Sequence, residues 1–356
     1  MDKAIDNPIE VRKGEELDEH KLLAYLKRNL IDFSDQIQIK QFPGGFSNLT
    51  YLIRSEKTEY VLRKPPLGAN IKSAHDMSRE FKVLSLLAPV YKKIPKPILF
   101  CEDETILGSP FYLMERVKGI ILRNRIPKGI GLTGAHFKEL SNQTIENLVA
   151  LHNLELESSN LISLGKPKGY VKRQVEGWVK RYFKAETDEI SSMNMVSEWM
   201  MSNLPTIENV AFIHNDYKYD NLVLDANSLE IKAVLDWEMA TVGDPLMDLG
   251  TSLAYWVEKD ENPALQQFNL TWAEGNLTRQ QVIEKYAQLR HIKLEDVLFY
   301  YVFGCFKLGV IAQQIYARYQ KGFTKDERFA GLIYVVKACG INAANAIKYN
   351  RINNFY

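Results

Sequence analysis

The stretch of residues 213–237 constrains the fold of this chain more than any other segment. Within it, His214, Asp216 and Asn221 are spaced as H-x-D-x-x-x-x-N, with short apolar runs before and after them. A second apolar run then ends at Asp236. This pattern predicts a polar loop between two short buried strands, followed by a hairpin that returns a second carboxylate to the loop.

The spacing is that of the catalytic loop of kinase-like phosphotransferases. In that chemistry one carboxylate accepts the proton of a substrate hydroxyl, while an amide and a second carboxylate hold Mg²⁺ against the phosphates of ATP. We therefore interpret Asp216 and His214 as catalytic residues, the first as the base and the second as a brace of the loop. Asn221 and Asp236 are the predicted metal ligands. A lone His-x-Asp would indicate an ordinary buried turn, so the argument depends on the complete spacing.

Bulk properties exclude several classes of function. The chain has 356 residues, enough for two lobes, and its net charge of +1 gives no argument for a nucleic-acid or membrane partner. The N-terminus lacks the apolar core of a signal peptide, and no run approaches the roughly 18–20 apolar residues that span a bilayer. The three cysteines are far apart, which indicates neither a disulfide framework nor a zinc site. We expect a cytoplasmic protein and leave its oligomeric state open.

The texture of the chain changes along its length. After an amphipathic helix predicted at 15–31, short β-rich segments alternate with one helical segment, in the order 37–42, 49–54, 59–64, helix 74–88, 98–102 and 111–115. From about residue 133, nearly everything outside 211–237 has helical spacing. The predicted fold is α+β, kinase-like and two-lobed. Residues 1–115 form the β-rich nucleotide-binding lobe, and residues 116–356 form the helical lobe with the catalytic loop and the acceptor site.

Seven sequence segments in this order resemble the aminoglycoside phosphotransferase/choline kinase family over residues 30–340. The chain is most similar to the branch related to the kinase domain that is fused to acyl-CoA dehydrogenases. The resemblance implies a small-molecule kinase that uses ATP and Mg²⁺ and phosphorylates a substrate hydroxyl. The segments are GGFSNLTY (44–51), YVLRKPP (60–66), SREF (78–81), MERVKG (114–119), RQVEGW (173–178), the loop at 214–221, and DWE…GDPLMDLG (236–250).

A glycine-containing turn between the strands predicted at 37–42 and 49–54 is the candidate phosphate loop. Gly44 and Gly45 would let backbone N–H groups approach the nucleotide, with Ser47 and Asn48 as candidate donors. A Gly-Gly hairpin is by itself more often a plain turn, so that alternative stays open.

The strand Tyr60–Arg63 aligns with the kinase strand whose lysine binds the phosphates. Strand alternation places Val61 and Arg63 on one face, so Val61 covers the adenine and Arg63 replaces the lysine. Lys64 is an open alternative, as is a plain edge strand. By the same resemblance, Glu80 on the next helix is the ion-pair partner of the basic residue.

Other family positions follow. The connector would read the adenine edge through backbone groups of Glu115 and Val117. His152, Asp244 and Asp248 are interpreted as structural, with Asp244 as a turn or helix cap and Asp248 as a support of the catalytic loop.

The charge balance of the helical lobe bears on the acceptor. Residues 251–356 hold 13 Lys/Arg against 9 Asp/Glu, and the segment 166–184 holds seven basic residues against Glu176 alone. This balance favours a neutral or anionic acceptor over a polycationic one, although a solvated helix face also explains part of it. The resemblance suggests a hydroxyacyl-CoA. The alternatives are an aminoglycoside or choline-type kinase, a catalytically silent nucleotide-binding regulator, and a protein kinase; the last is disfavoured because D-F-G and A-P-E are missing.

Overall fold

The computed structural model describes residues 6–31, 33–43, 48–56, 58–66, 76–127, 130–294, 297–324 and 326–355. The N-terminal part is an antiparallel five-stranded sheet in the order β1-β2-β3-β5-β4, flanked by helices. Its elements are α1 (Glu19–Asn29), β1 (Gln38–Gln41), β2 (Leu49–Arg54), β3 (Glu59–Lys64), α2 (Met77–Leu87), β4 (Pro97–Cys101), α3 (Glu104–Leu107) and β5 (Phe111–Glu115). The sheet ends at the residue where we place the lobe boundary, which stays a prediction.

The two faces of the sheet bury different cores. On β3, Val61 packs with Met77 of α2, in the core that continues into the helical part. Leu62 points the other way, into a second core with Leu22 and Leu26 of α1. Because strand residues alternate between faces, Arg63 lies on the side of Val61 and faces α2. The sheet thereby delivers one basic side chain to the cleft between the two parts.

The C-terminal part is mainly helical, with two small two-stranded antiparallel sheets, β6–β9 and the hairpin β7–β8, that carry the polar loops. Its elements are α4 (Gly134–His152), α5 (Tyr170–Ala185), α6 (Ser191–Ser202), β6 (Ala211–Ile213), β7 (Leu222–Leu224), β8 (Ile231–Val234), β9 (Thr241–Gly243), α7 (Pro245–Tyr255), α8 (Pro263–Gln266), α9 (Arg279–Arg290), α10 (Leu298–Gln320) and α11 (Leu332–Tyr349).

Helices α7 and α10 approach each other through glycines. A Cβ built on Gly250 would lie 2.1 Å from the carbonyl oxygen of Tyr300, and one on Gly304 would lie 2.2 Å from that of Gly250. Only glycine permits this backbone contact. The close packing seats α7, with Asp248 on its first turns, directly beneath the catalytic loop.

Several boundaries differ from the sequence-based expectation. The first helix is shorter than 15–31 because Asp18 caps it, accepting from the N–H of Lys21 at 3.0 Å. The prediction of near-continuous helix after residue 133 is wrong for much of 153–169 and 256–278. Gly165, Pro167 and Gly169 interrupt the first of these segments. The helix predicted at 74–88 begins at Met77 in the described residues; 74 and 75 lie outside them.

Two helical segments also correct the expectation that no run is long enough to span a bilayer. Leu298–Gln320 and Glu327–Tyr349 both reach the length and hydropathy of a spanning helix. The window in α10 is 78% buried inside the protein, as a core helix is, and the window in the second segment is 44% buried. Length and composition alone therefore do not tell whether such a helix spans a membrane or forms the core of a folded lobe.

Candidate active site

The catalytic loop connects β6 to β7 and places Asp216 beside Asn221. The Asn221 side-chain Nδ2 donates to the Asp216 carbonyl oxygen at 2.8 Å and to Asp216 Oδ2 at 3.0 Å. Lys218 Nζ lies 3.1 Å from the same carboxylate oxygen. Burial opposes the charge of Lys218, but Asp216 and Asp220 hold its pKa well above the usual value. The carboxylate of the base candidate is therefore fixed by an amide and an ammonium group.

The loop rests on a buried carboxylate from α7. Asp248 accepts from the backbone N–H groups of His214 and Asn215, both at 2.7 Å, and lies 3.2 Å from His152 Nε2. Although burial raises its pKa, the contacts with His152 and His214 hold it below the usual range. Asn215 has a φ of 68°, a left-handed conformation that these two bonds stabilise. Asp248 thus fixes the backbone immediately before the base.

His152, Asp244 and His214 make contacts that agree with the structural roles predicted for them from the sequence. His152 is buried, with Nδ1 2.7 Å from the Tyr286 hydroxyl. Asp244 caps α7, accepting from the N–H of Leu246 at 2.8 Å. His214 Nε2 lies 2.9 Å from the Leu235 carbonyl oxygen, so its ring ties the catalytic loop to the end of the β7–β8 hairpin.

Arg63 joins the sheet to the second carboxylate of the cleft. Its guanidinium forms an ion pair with Glu80 of α2, and its Nη2 lies 3.2 Å from Asp236 Oδ1. Arg63 and Glu80 are buried, so removing one partner is expected to cost about 3–5 kcal/mol of stability. Lys64, the open alternative, instead donates to the Leu107 carbonyl oxygen at 2.6 Å on the opposite face. Arg63 is therefore the basic residue of this strand that reaches the cleft; its role as a phosphate ligand stays a prediction.

The remaining candidates for the nucleotide site differ in position, and some of them lie outside the described residues. Asn48 is buried and its Nδ2 donates to Glu238 Oε2 at 2.9 Å. Val61 is buried on the cleft side of the sheet. The Glu115 N–H donates to the Lys96 carbonyl oxygen at 2.8 Å, so any contact from Glu115 to a base would use its carbonyl. Val117 packs against a small cluster around Val223. Gly44, Gly45 and Ser47 lie outside the described residues.

The cleft holds an excess of carboxylates around Arg63. Glu238 Oε2 lies 3.9 Å from Arg63 Nη2, and burial, followed by repulsion from Asp236, raises the pKa of Glu238 to about 8. Asp236 adopts a φ of 66°, a strained conformation for a non-glycine residue. Asn221 and Asp236 offer the oxygen donors that Mg²⁺ prefers, and a divalent cation would relieve the repulsion. The residues present therefore fit the predicted metal.

Three functional candidates were missed in the sequence. Lys218 follows Asp216 by two residues, so its place in the loop was a usable signal. Glu238 stands two residues after Asp236, yet nothing in the sequence shows its bond to Asn48. Lys307 of α10 is buried and its Nζ donates to the Asn215 carbonyl oxygen at 2.6 Å. A lone lysine within an apolar helix was the available signal for it.

Comparisons with known proteins agree with this site. The sequence profile described as phosphotransferase enzyme family matches residues 38–287. Acyl-CoA dehydrogenase family member 11 of Homo sapiens is 35% identical over 93% of this chain, which spans 44% of that protein's length. Acyl-CoA dehydrogenase family member 10 of Mus musculus is 33% identical over 88% of this chain, which spans 30% of its length.

Solved structures show the same architecture. A candidate aminoglycoside phosphotransferase from Ralstonia eutropha superposes with a TM-score of 0.80 at 26% identity, covering 94% of this chain and 99% of that one. Choline kinase from Cryptosporidium parvum superposes with a TM-score of 0.58 at 14% identity, covering 94% and 97%. The predicted α+β, kinase-like two-lobe fold is confirmed, as is the enzyme class, a phosphotransferase with an alcohol group of a small molecule as acceptor. The family resemblance is confirmed as well, and the chain belongs to the phosphotransferase enzyme family.

Proposed function

We propose that this protein transfers the γ-phosphate of Mg²⁺-bound ATP to a hydroxyl group of a neutral or anionic metabolite, such as a hydroxyacyl-CoA. One observation carries the proposal: the catalytic loop and the sheet converge on one cleft. Asp216 is held by Asn221, and Asp236 accepts from Arg63, which also pairs with the buried Glu80. A base, two metal-ligand candidates and a forked cation are the parts that phosphoryl transfer needs.

Each residue has a distinct task in this reaction. Asp216 orients the acceptor hydroxyl and accepts its proton as the oxygen attacks the γ-phosphorus in line. Asn221 and Lys218 fix that carboxylate, while Asp248 fixes the backbone that carries it. Arg63 presents a guanidinium fork to the phosphates. Mg²⁺ held by Asn221 and Asp236 would neutralise charge that develops on the phosphate oxygens.

The acceptor class is supported by charge and by the named relatives. A polycationic acceptor such as an aminoglycoside would need acidic residues on the helical lobe, whereas the segment 166–184 is basic. Two relatives bear the name of acyl-CoA dehydrogenases, and a shared pathway with such an enzyme would supply CoA-linked substrates. A hydroxyacyl-CoA satisfies both considerations.

Replacing the base tests the proposal. Asp216→Asn should lower kcat by about 10²–10⁴-fold while the Kd for ATP changes only a few-fold, because the side chain meets the hydroxyl and not the nucleotide. The assay is transfer of radiolabelled phosphate from ATP to a panel of hydroxy compounds, with calorimetry for ATP binding. Asp260→Asn, the same change at an exposed loop residue, is the control and should leave both unchanged.

Three results would contradict the proposal. Loss of ATP binding by a folded Asp216→Asn protein would mean that the loop is misassigned. A wild-type protein that binds ATP and phosphorylates no compound of the panel would favour the silent regulator. Efficient phosphorylation of an aminoglycoside or of choline would favour the alternative acceptors.

A further inference from the structure

A cavity of about 250 Å³ lies beside the catalytic loop, on the side of α5 and α10. Asn215, the residue before the catalytic base, forms part of its wall. The other wall residues include no aspartate or glutamate in the described part of the chain. Its cationic wall residues, here called the basic pocket, are Arg79, Lys166, Arg173, Arg181 and Lys307.

These cations come from segments that are far apart in the sequence. Arg173 and Arg181 stand two turns apart on one face of α5. Arg79 reaches across from α2, and its Nη2 donates to the Ala240 carbonyl oxygen at 2.8 Å. Lys307 comes from α10 and donates to the Asn215 carbonyl oxygen at 2.6 Å. The fold therefore assembles the basic pocket, which a solvated face of a single helix would not do.

The charges of the basic pocket are not neutralised by protein carboxylates. Within the described residues, none of the five cations forms a salt bridge. Arg79, Arg173 and Lys307 donate to backbone carbonyl oxygens, and the Arg181 guanidinium lies 4.7 Å from the centre of the Trp178 ring. The opposite face of α5 differs, because there Lys172 lies 3.9 Å from Glu176. Around the cavity, Lys166, Arg173 and Arg181 are exposed, Arg79 is half-buried and Lys307 is buried, so solvent and not a carboxylate balances part of their charge.

Lys307 shows the electrostatic cost of this arrangement. Burial lowers its pKa to about 8, with Lys218 and Arg181 acting in the same direction, while Asp216 and Asp248 act against the shift. Like charges gathered around a cavity repel one another, and a bound anion would relieve that repulsion. The Arg173 guanidinium donates to the carbonyl oxygens of Lys168 and Lys166, and the remaining N–H groups of Arg173 and the guanidinium of Arg181 suit the oxygens of a phosphate group.

We propose that the basic pocket binds a phosphate group of the acceptor, so that the natural acceptor is a hydroxyl compound that already carries a phosphate ester or pyrophosphate. This inference rests on the proposed function for its acceptor half. The cavity is smaller than the roughly 300–1,000 Å³ of a site for a whole drug-sized ligand, and therefore holds one charged group of a longer molecule. Because Asn215 lines the cavity and precedes Asp216, an anion bound there tethers the acceptor beside the base.

Anion binding can be measured without turnover, which separates this inference from the proposed function. The probe is inorganic sulfate, added to protein saturated with Mg²⁺ and a non-hydrolysable ATP analogue, with ionic strength held constant by sodium chloride. The rise of Tm with sulfate concentration gives the Kd. We expect saturable binding to the wild type and at least a tenfold higher Kd for the double variant Arg173→Gln/Arg181→Gln.

The matched control is Lys172→Gln/Lys180→Gln, which removes the same charge from other positions of α5 and should bind sulfate like the wild type. Equal loss in both double variants, or no saturable binding to the wild type, would overturn the inference.

A second experiment compares paired compounds, glycerol 3-phosphate with glycerol and a hydroxyacyl-CoA with its free hydroxy acid. A lower KM for the phosphate-bearing members, lost in Arg173→Gln/Arg181→Gln, supports an acceptor subsite. Sulfate binding without any such preference would identify a regulatory anion site and overturn the assignment to the acceptor.

Discussion

The two sides of the catalytic loop carry opposite charge. Toward the sheet, Glu80, Asp236 and Glu238 surround Arg63, and burial, together with repulsion from Asp236, raises the pKa of Glu238 to about 8. Toward α5 and α10, the basic pocket gathers cations without a carboxylate in its described wall, and the pKa of Lys307 falls to about 8. Each side holds like charges that are under-neutralised by the protein itself.

The difference indicates what each side is built to receive. A surplus of oxygen donors suits a metal ion with its nucleotide, and a surplus of cations suits an anionic acceptor. The catalytic base lies between them and is held by Asn221 and Lys218 of its own loop. Repulsion between like charges at a site lowers the stability of the fold, and it persists where ligands or the surrounding structure compensate for it.

The largest expected effect comes from removing charge on the acidic side. Asp236→Asn should lower phosphoryl transfer by at least about 10²-fold at fixed Mg²⁺, because one of the two proposed metal ligands loses its charge. Steady-state kinetics over a range of Mg²⁺ concentrations measures this change, and higher Mg²⁺ should restore part of the rate. Glu230→Gln, an equal charge change at an exposed position of the β7–β8 connection, is the control. An Asp236→Asn enzyme with the wild-type rate and Mg²⁺ dependence would contradict the assignment of the metal to the acidic side.

A smaller effect is expected on the basic side, in the pH dependence of stability. The pKa of Lys307 is lowered by burial to about 8, so between pH 8 and about 10.5 the unfolded chain holds a proton that the folded protein has lost. Stability therefore rises with pH across this window, by at most about 3 kcal/mol. Denaturant unfolding at pH 8 and pH 10 should show this gain in the wild type but not in Lys307→Met.

Lys337→Met, on the exposed face of α11, is the control for this measurement and should keep the wild-type slope. The same slope in Lys307→Met would show that Lys307 is not the titrating group. There would then be no evidence that the cations of the basic pocket repel one another.

Local patterns in the sequence predicted much of the fold. Strands β2, β3 and β5 lie at the predicted residues because period-two alternation between turn residues determines such segments locally. The same alternation led to Arg63 on the cleft side and away from Lys64. The H-x-D-x-x-x-x-N spacing predicted the loop that brings Asn221 to Asp216 because both residues lie in one short segment.

Features that depend on distant parts of the chain could not be predicted in this way. The basic pocket joins Arg79, Arg173 and Lys307, which are separated by many residues and meet only after the lobes pack. The charge count of 166–184 indicated a basic surface but not which side chains face the cavity. Likewise, the bond of Asn48 to Glu238 depends on how the sheet sits against the helical lobe. Helices after residue 133 were overextended because irregular segments such as 256–278 also bury apolar residues, among them Trp256, Val257 and Leu270.

The most direct test is a crystal structure of the protein with Mn²⁺ in place of Mg²⁺, a non-hydrolysable ATP analogue and sulfate. The account predicts an anomalous Mn²⁺ peak bound by Asn221 and Asp236, and sulfate density between Arg173 and Arg181, on opposite sides of Asp216. Both ions on the same side of Asp216, or a metal site away from Asn221 and Asp236, would contradict the central claim that one loop separates an acidic metal side from a basic acceptor side.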